Sequence, residues 1–203
     1  MNYPSFFDEV QPIKLHDPLS QFLGAFEGGD LEITYLDCVK LAGHSCPTVA
    51  GAYLMALKGL EALYGDRLPQ RGRIKVEMRD DLAHGVTGVV GNVIAFIAGA
   101  GGTGGFKGIQ GKFSRNDLVD YNVPIRREVR LVDLDSGKSV EIDYDPSGIP
   151  PSPEMQPLMG KAMQGAASEE ELNTFGKLWQ ERVQRILLSK AQWDSMITLS
   201  KNN

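Results

Sequence analysis

The run Leu41-Ala42-Gly43-His44-Ser45-Cys46-Pro47 sets an imidazole and a thiol two residues apart, just ahead of a helix that Pro47 can open. A neutral imidazole and a thiolate at that spacing can reach one metal ion. The helix start favours negative charge at Cys46, which suits either a metal ligand or a nucleophile. The same residues fit a plainer arrangement, with His44 capping a helix and Cys46 a small buried apolar residue. Cys38 lies six residues before His44 and is either a further donor to the same cleft or part of the core. The spacing C-x5-H-x-C matches no standard zinc ribbon.

Two other stretches carry candidate chemistry. In Asp80-Asp81-Leu82-Ala83-His84-Gly85, Asp81 can accept a proton or orient His84, and His84 can complete a metal site or act as a general base. The alternative is an Asp helix cap and a surface histidine. In Gly99–Gly111, GAGGTGGFKGIQG, the Gly-Lys-Ser/Thr ending of a phosphate loop is missing, as is the strand–turn–helix setting of a dinucleotide fingerprint. Glycine at this density permits a lid or a close approach of backbone to ligand. Lys107, Lys112 and Arg115 would then hold an anionic group of a substrate, with Lys107 the first candidate; a mobile linker with solvated charges is the alternative. His16 has no assigned role.

The elements that must position these residues follow from patterning. The first thirty residues read as an arm or peripheral helix in which Phe22, Leu23 and Phe26 pack on the core. Thr34 to Asp37 forms a capping box for a short helix that Gly43 ends. Pro47 starts a second helix, with Val49, Ala52, Ala56, Leu60 and Leu63 on one face. Arg73–Arg79 alternates as a half-buried strand, and Thr87–Ala98 is a buried helix. Phe106–Phe113 reads as a strand, and Val129–Leu134 with Val140–Tyr144 as a hairpin. Five prolines between Pro146 and Pro157 make a stiff connector, after which Ser168 and Glu171 cap a long helix striped by Leu172, Phe175, Trp179, Val183, Ile186 and Leu187. The expected class is α+β: a mixed or antiparallel sheet flanked by helices, with a C-terminal helical extension. Residues 1–145 form the core domain with its arm, and 146–203 the connector and extension. The apolar stripe of the last helix needs a cover, which suggests a homodimer.

Ala42-Gly43-His44-Ser45-Cys46-Pro47 before a helix, followed in order by Asp81, Thr87-Gly88 and Gly91-Asn92, resembles the FmdE-like family, named for a small component of formylmethanofuran dehydrogenase. That family carries H-G-H-x-C-P-G before a helix, then C-x2-D-A-I-Q-x3-G and a glycine-rich segment. The resemblance spans about Leu36 to Phe113. It implies an α+β domain, often dimeric, with a transition-metal site in which zinc is the first choice; it implies no particular reaction. Ala42 stands where the family has its first histidine and Thr48 where it has glycine. By the Thr87-Gly88 register, Met78 replaces a cysteine and His84 a glutamine. Cys38 and His84 are the candidate replacements, giving a set of Cys38, His44, Cys46 and His84. A smaller set of His44, Cys46 and His84 leaves a position open for water or substrate. Cys46, Asp81 and His84 are then the catalytic candidates.

Composition bounds the rest. The chain has 203 residues, 42% hydrophobic and 23% charged, with a formal net charge of −5. That is the balance of an ordinary globule, and it offers no electrostatic footprint for nucleic acid. Two cysteines make no disulfide framework, and MNYPSFFDEV lacks the blocks of a signal peptide. The expectation is a cytoplasmic protein without a membrane span. Two function classes follow: a small zinc-binding metalloenzyme acting on a small organic anion, or a non-catalytic accessory protein of a larger complex with a structural metal. Thiol chemistry at Cys46 without metal is a third.

Overall fold

A computed structural model describes residues 2–202. At the N-terminus, strands β1 (Ile13–His16) and β2 (Asp30–Ile33) pair antiparallel, with helix α1 (Pro18–Leu23) between them. Asp17 caps α1 by accepting the Leu19 and Ser20 N–H groups, and Gly24 ends it at φ 69°. Phe22, Leu23 and Phe26, expected in the core, are exposed. Asp17 is the reason: it is only 2% exposed and held by two arginines, so α1 is anchored through its cap and turns its apolar side chains outward. The aromatic contribution comes from Phe6 and Phe7 instead, in a 3-10 turn over Ser5–Glu9 that packs edge-on against Tyr35.

Helix α2 (Tyr35–Ala42) starts with the full capping box of Thr34 and Asp37 and stops at Gly43, φ 76°. Helix α3 (Pro47–Tyr64) begins with Cys46 as its cap and Pro47 in its first turn. Its periodicity suggests one buried face, yet it is buried almost all round, because α2, helix α4 (Thr87–Ala98) and the main sheet all pack on it. A helix enclosed in this way needs apolar or small residues on every side.

That sheet orders its strands β4-β3-β5-β6-β7: β3 (Ile74–Met78), β4 (Val119–Asp120), β5 (Val129–Asp133), β6 (Ser139–Tyr144) and β7 (Ile197–Asn202). Only the β3–β4 pair is parallel. Ile74, Val76, Met78, Leu131, Val140 and Ile142 are buried on the helix side. The opposite face is a charge ladder in which Arg130 pairs with Glu77 and Glu141, Lys75 with Asp120, and Arg127 with Asp143. The β5–β6 hairpin is where the alternation and the turn at Gly137 place it.

Phe106–Phe113 is not a strand. Gly108, Gln110, Gly111 and Phe113 all adopt positive φ, which reverses the chain repeatedly and leaves a single bridge between Ile109 and Lys112.

The described part of the C-terminal segment, 146–202, is woven into the rest. It holds α5 (Met155–Met163), α6 (Glu169–Leu188, capped by Ser168 and Glu171), the short α7 (Trp193–Met196), and β7. Val183, Ile186 and Leu187 join the common core, and β7 pairs with β6 along six residues. The stripe on α6 thus finds much of its cover within its own chain; Leu172 stays exposed. Arg182 and Arg185 donate to the Ile149 and Pro150 carbonyls, fastening the proline-rich connector to α6. The fold is α+β, with seven α-helices and two sheets among the described residues. Among those residues, no helix is long and apolar enough to cross a membrane.

Candidate functional site

Gly43, in the left-handed conformation, turns the chain out of α2 and sets His44 at the surface. Its Nδ1 lies 3.0 Å from the Ala42 carbonyl oxygen. A carbonyl can only accept, so Nδ1 carries the proton and Nε2 of the neutral ring is left as the acceptor. His44 lines a cleft of about 390 Å3 with Leu41 and with Val89, Asn92, Val93 and Phe96 of α4. Most of the lining side chains are apolar, and Asn92 and His44 are the polar ones.

Cys46 takes a different place. It is nearly buried, caps α3, and its Sγ accepts the Val49 N–H at 3.4 Å. It does not line the His44 cleft. Cys38 is fully buried in α2, and burial, aided by the Asp37 charge, pushes its thiol up to about 12. Cys38 packs within the hydrophobic core. Burial also raises the phenols of Tyr35 and Tyr144. Tyr144 donates to the Pro47 carbonyl at 3.0 Å.

Ser45, between the two candidate residues, organises the turn. Its hydroxyl donates to Gln180 Oε1 at 3.0 Å and therefore accepts from the Tyr35 hydroxyl at 2.9 Å. Its carbonyl accepts from Trp179 Nε1 at 2.9 Å and Gln180 Nε2 at 3.3 Å. The turn that carries His44 and Cys46 is thereby held on one side by α2 and on the other by α6. Nothing local in the sequence marks Ser45, Trp179 or Gln180 for this; the partners lie about 135 positions apart.

The Asp80–Gly85 loop forms a separate group. His84 is 73% exposed, with Nδ1 3.8 Å from Asp80 Oδ2. Asp81 accepts the Ala83 N–H at 2.9 Å and the Asn122 amide at 3.0 Å, which makes it a turn-forming residue. Lys107 is exposed on the glycine-rich loop. Lys112 and Arg115, from the same stretch, line a different cavity with Arg71. Among the described residues, no three His, Cys, Asp or Glu side chains are gathered closely enough to hold a metal ion. His44 and Cys46 share a turn, but the structure does not bring Cys38 and His84 together with them as a ligand set.

Comparison with known proteins gives no family: no family model matches the chain, and no curated protein matches it.

Proposed function

We propose that this protein is a small-molecule-binding domain whose site is the cleft beside His44. The observation that carries this reading is the bond from Nδ1 to the Ala42 carbonyl, which leaves Nε2 as the ring's acceptor on a residue that lines the cleft beside Asn92. Apolar clefts with one or two placed polar groups are the usual form of a ligand site. The ligand is a compact, largely apolar organic molecule with one hydroxyl, amide or acidic C–H group that meets Nε2. With an acidic proton there, His44 acts as general base. Long-range nitrogen–proton NMR on the imidazole tests the first step: the neutral ring must be the Nδ1–H tautomer. A fragment screen by NMR tests the second. Hits that shift Val89, Asn92 and the His44 ring, and that His44→Ala abolishes, support the site. An Nε2–H tautomer, or hits indifferent to His44→Ala, overturn it.

A second reading places a divalent ion, zinc first, on the same nitrogen. It is favoured by the free Nε2 and by the nearby Cys46. The zinc reading draws on His44 and Cys46, because Cys38 lies buried in α2 and His84 is exposed beside Asp80. A zinc titration of the wild type against His44→Ala and Cys46→Ser decides this reading. Stoichiometric binding lost in both variants supports it, and binding unaffected by either sinks it.

A further inference from the structure

We propose that a second cavity, formed where residues 70–73 meet 111–115, binds a small organic anion with an apolar body. Its volume of about 440 Å3 lies in the range of ligand pockets. Arg71, Arg73, Lys112 and Arg115 line it, and among the described residues no acidic one does. That is a local reversal in a chain with 26 acidic and 21 basic residues.

Two of the cations are held rigid. Asp17 pairs with Arg71 Nη1 at 3.1 Å and with Arg115 Nη2 at 2.5 Å. Arg71 also donates to the Phe96 and Ile97 carbonyls, and Arg115 to the Gly99 carbonyl, at the C-terminal end of α4. These bonds use three of the five N–H groups of Arg71 and two of those of Arg115, so both guanidiniums keep donors for an incoming oxyanion. One carboxylate answers two guanidiniums. Arg73 is balanced by Asp135, but Lys112 is exposed and has no ion pair among the described residues.

A structural clamp accounts for Asp17, Arg71 and Arg115. It does not account for the apolar part of the lining. Phe113, one of the lining residues, sits at φ 61°, a left-handed conformation that costs a non-glycine residue roughly 1 kcal/mol or more. Its ring stacks on Phe22, with centroids 5.2 Å apart and planes 28° from parallel. Pro18 and Leu19 complete an apolar wall. A lining that combines four cations with Phe113, Pro18 and Leu19 selects a carboxylate or phosphate joined to a ring or short chain. This site shares no lining residue with the His44 cleft and does not rest on that reading.

Calorimetric titration with phenyl phosphate and with benzoate tests the proposal; tighter binding of either supports it and tells which oxyanion the cations prefer. The expected result is one molecule per chain. Inorganic phosphate and benzyl alcohol, which each keep half of the ligand, bind about tenfold more weakly or worse. Lys112→Glu lowers affinity about tenfold or more without changing the melting temperature. Phe113→Gly, which relieves the positive φ and so stays folded, does the same. His44→Ala leaves binding unchanged. The proposal is overturned if neither anion gives saturable heat at millimolar concentration, if folded Lys112→Glu and Phe113→Gly bind as the wild type does, or if His44→Ala removes binding.

Discussion

Trp179 donates its indole N–H to the Ser45 carbonyl at 2.9 Å, across 134 positions of chain. This contact and its neighbour from Gln180 join α6 to the turn that displays His44. The turn's geometry is therefore set from the far end of the sequence. Trp179→Phe keeps the ring's packing and deletes the donor, so it should cost about 1 kcal/mol in urea unfolding. Because Gln180 still reaches the same oxygen, the double variant with Gln180→Ala should lose more than the two single losses added together. Strict additivity would show that the two donors do not share an acceptor in solution.

Two glycines of α3 should respond oppositely to the same substitution. A methyl at Gly51 would lie 2.2 Å from the Tyr144 ring, whose hydroxyl is tied to Pro47. Gly51→Ala forces that ring aside, and the overpacking cost of about 1–3 kcal/mol exceeds the helix-propensity gain of about 1 kcal/mol. At Gly59 the obstacles are the methyl ends of Ile142 and Leu131, which can shift. Gly59→Ala should be close to neutral. Thermal unfolding of the two variants side by side checks the contrast.

Asp17 should be among the costliest single positions to change. Asp17→Asn keeps a side-chain oxygen for capping α1 but leaves two largely buried guanidiniums without their counter-charge. Losses of about 3–5 kcal/mol are typical when one partner of a buried pair is removed. Burial by itself would raise this carboxyl; the Ser20 N–H and the charges of Arg115 and Arg71 outweigh it, and the net shift is downward. A depressed carboxyl contributes its stability above the ordinary carboxylate range and loses it as pH falls through the folded value. Acid unfolding of the wild type should accordingly be steeper than that of Asp17→Asn.

Alkali should unfold the protein through groups that the core keeps protonated. Burial pushes the Cys38 thiol from 9.0 up to about 12 and also raises the phenols of Tyr35, Tyr53 and Tyr144. Below pH 9 both folded and unfolded chains hold these protons, and the stability is fully present. Between about 9 and 12 the unfolded chain releases the thiol proton and the folded chain does not, so stability falls by about 1.4 kcal/mol per pH unit for that group. Cys38→Ala should delay the onset toward the phenol range. An onset that does not move would mean that the thiol ionises in place.

The fold was legible wherever the signal is local. The capping box at Thr34, the stop at Gly43, Pro47 opening α3 and the β5–β6 hairpin all follow from residues within a few positions of one another. What escaped depends on distant contacts. Phe22 and Leu23 read as core because nothing in the sequence tells that Asp17 is clamped by Arg71 and Arg115. The last strand was invisible because Ile197–Asn202 becomes a strand by pairing with β6. At the candidate site, the spacing of His44 and Cys46 drew the eye to the turn between α2 and α3. It was silent about direction: Cys46 caps a helix, and His44 opens on a cleft that Cys46 does not line.

The glycine-rich segment leaves and rejoins the body through one narrow neck. Gly101 N–H meets the Arg115 carbonyl at 2.7 Å, and Leu118 N–H meets the Gly101 carbonyl at 2.8 Å. Both strands of that neck are held independently of the excursion between them, one by α4 and the other by the arginine clamp and β4. A single trypsin nick after Lys107 should therefore leave two fragments that migrate as one particle until denatured.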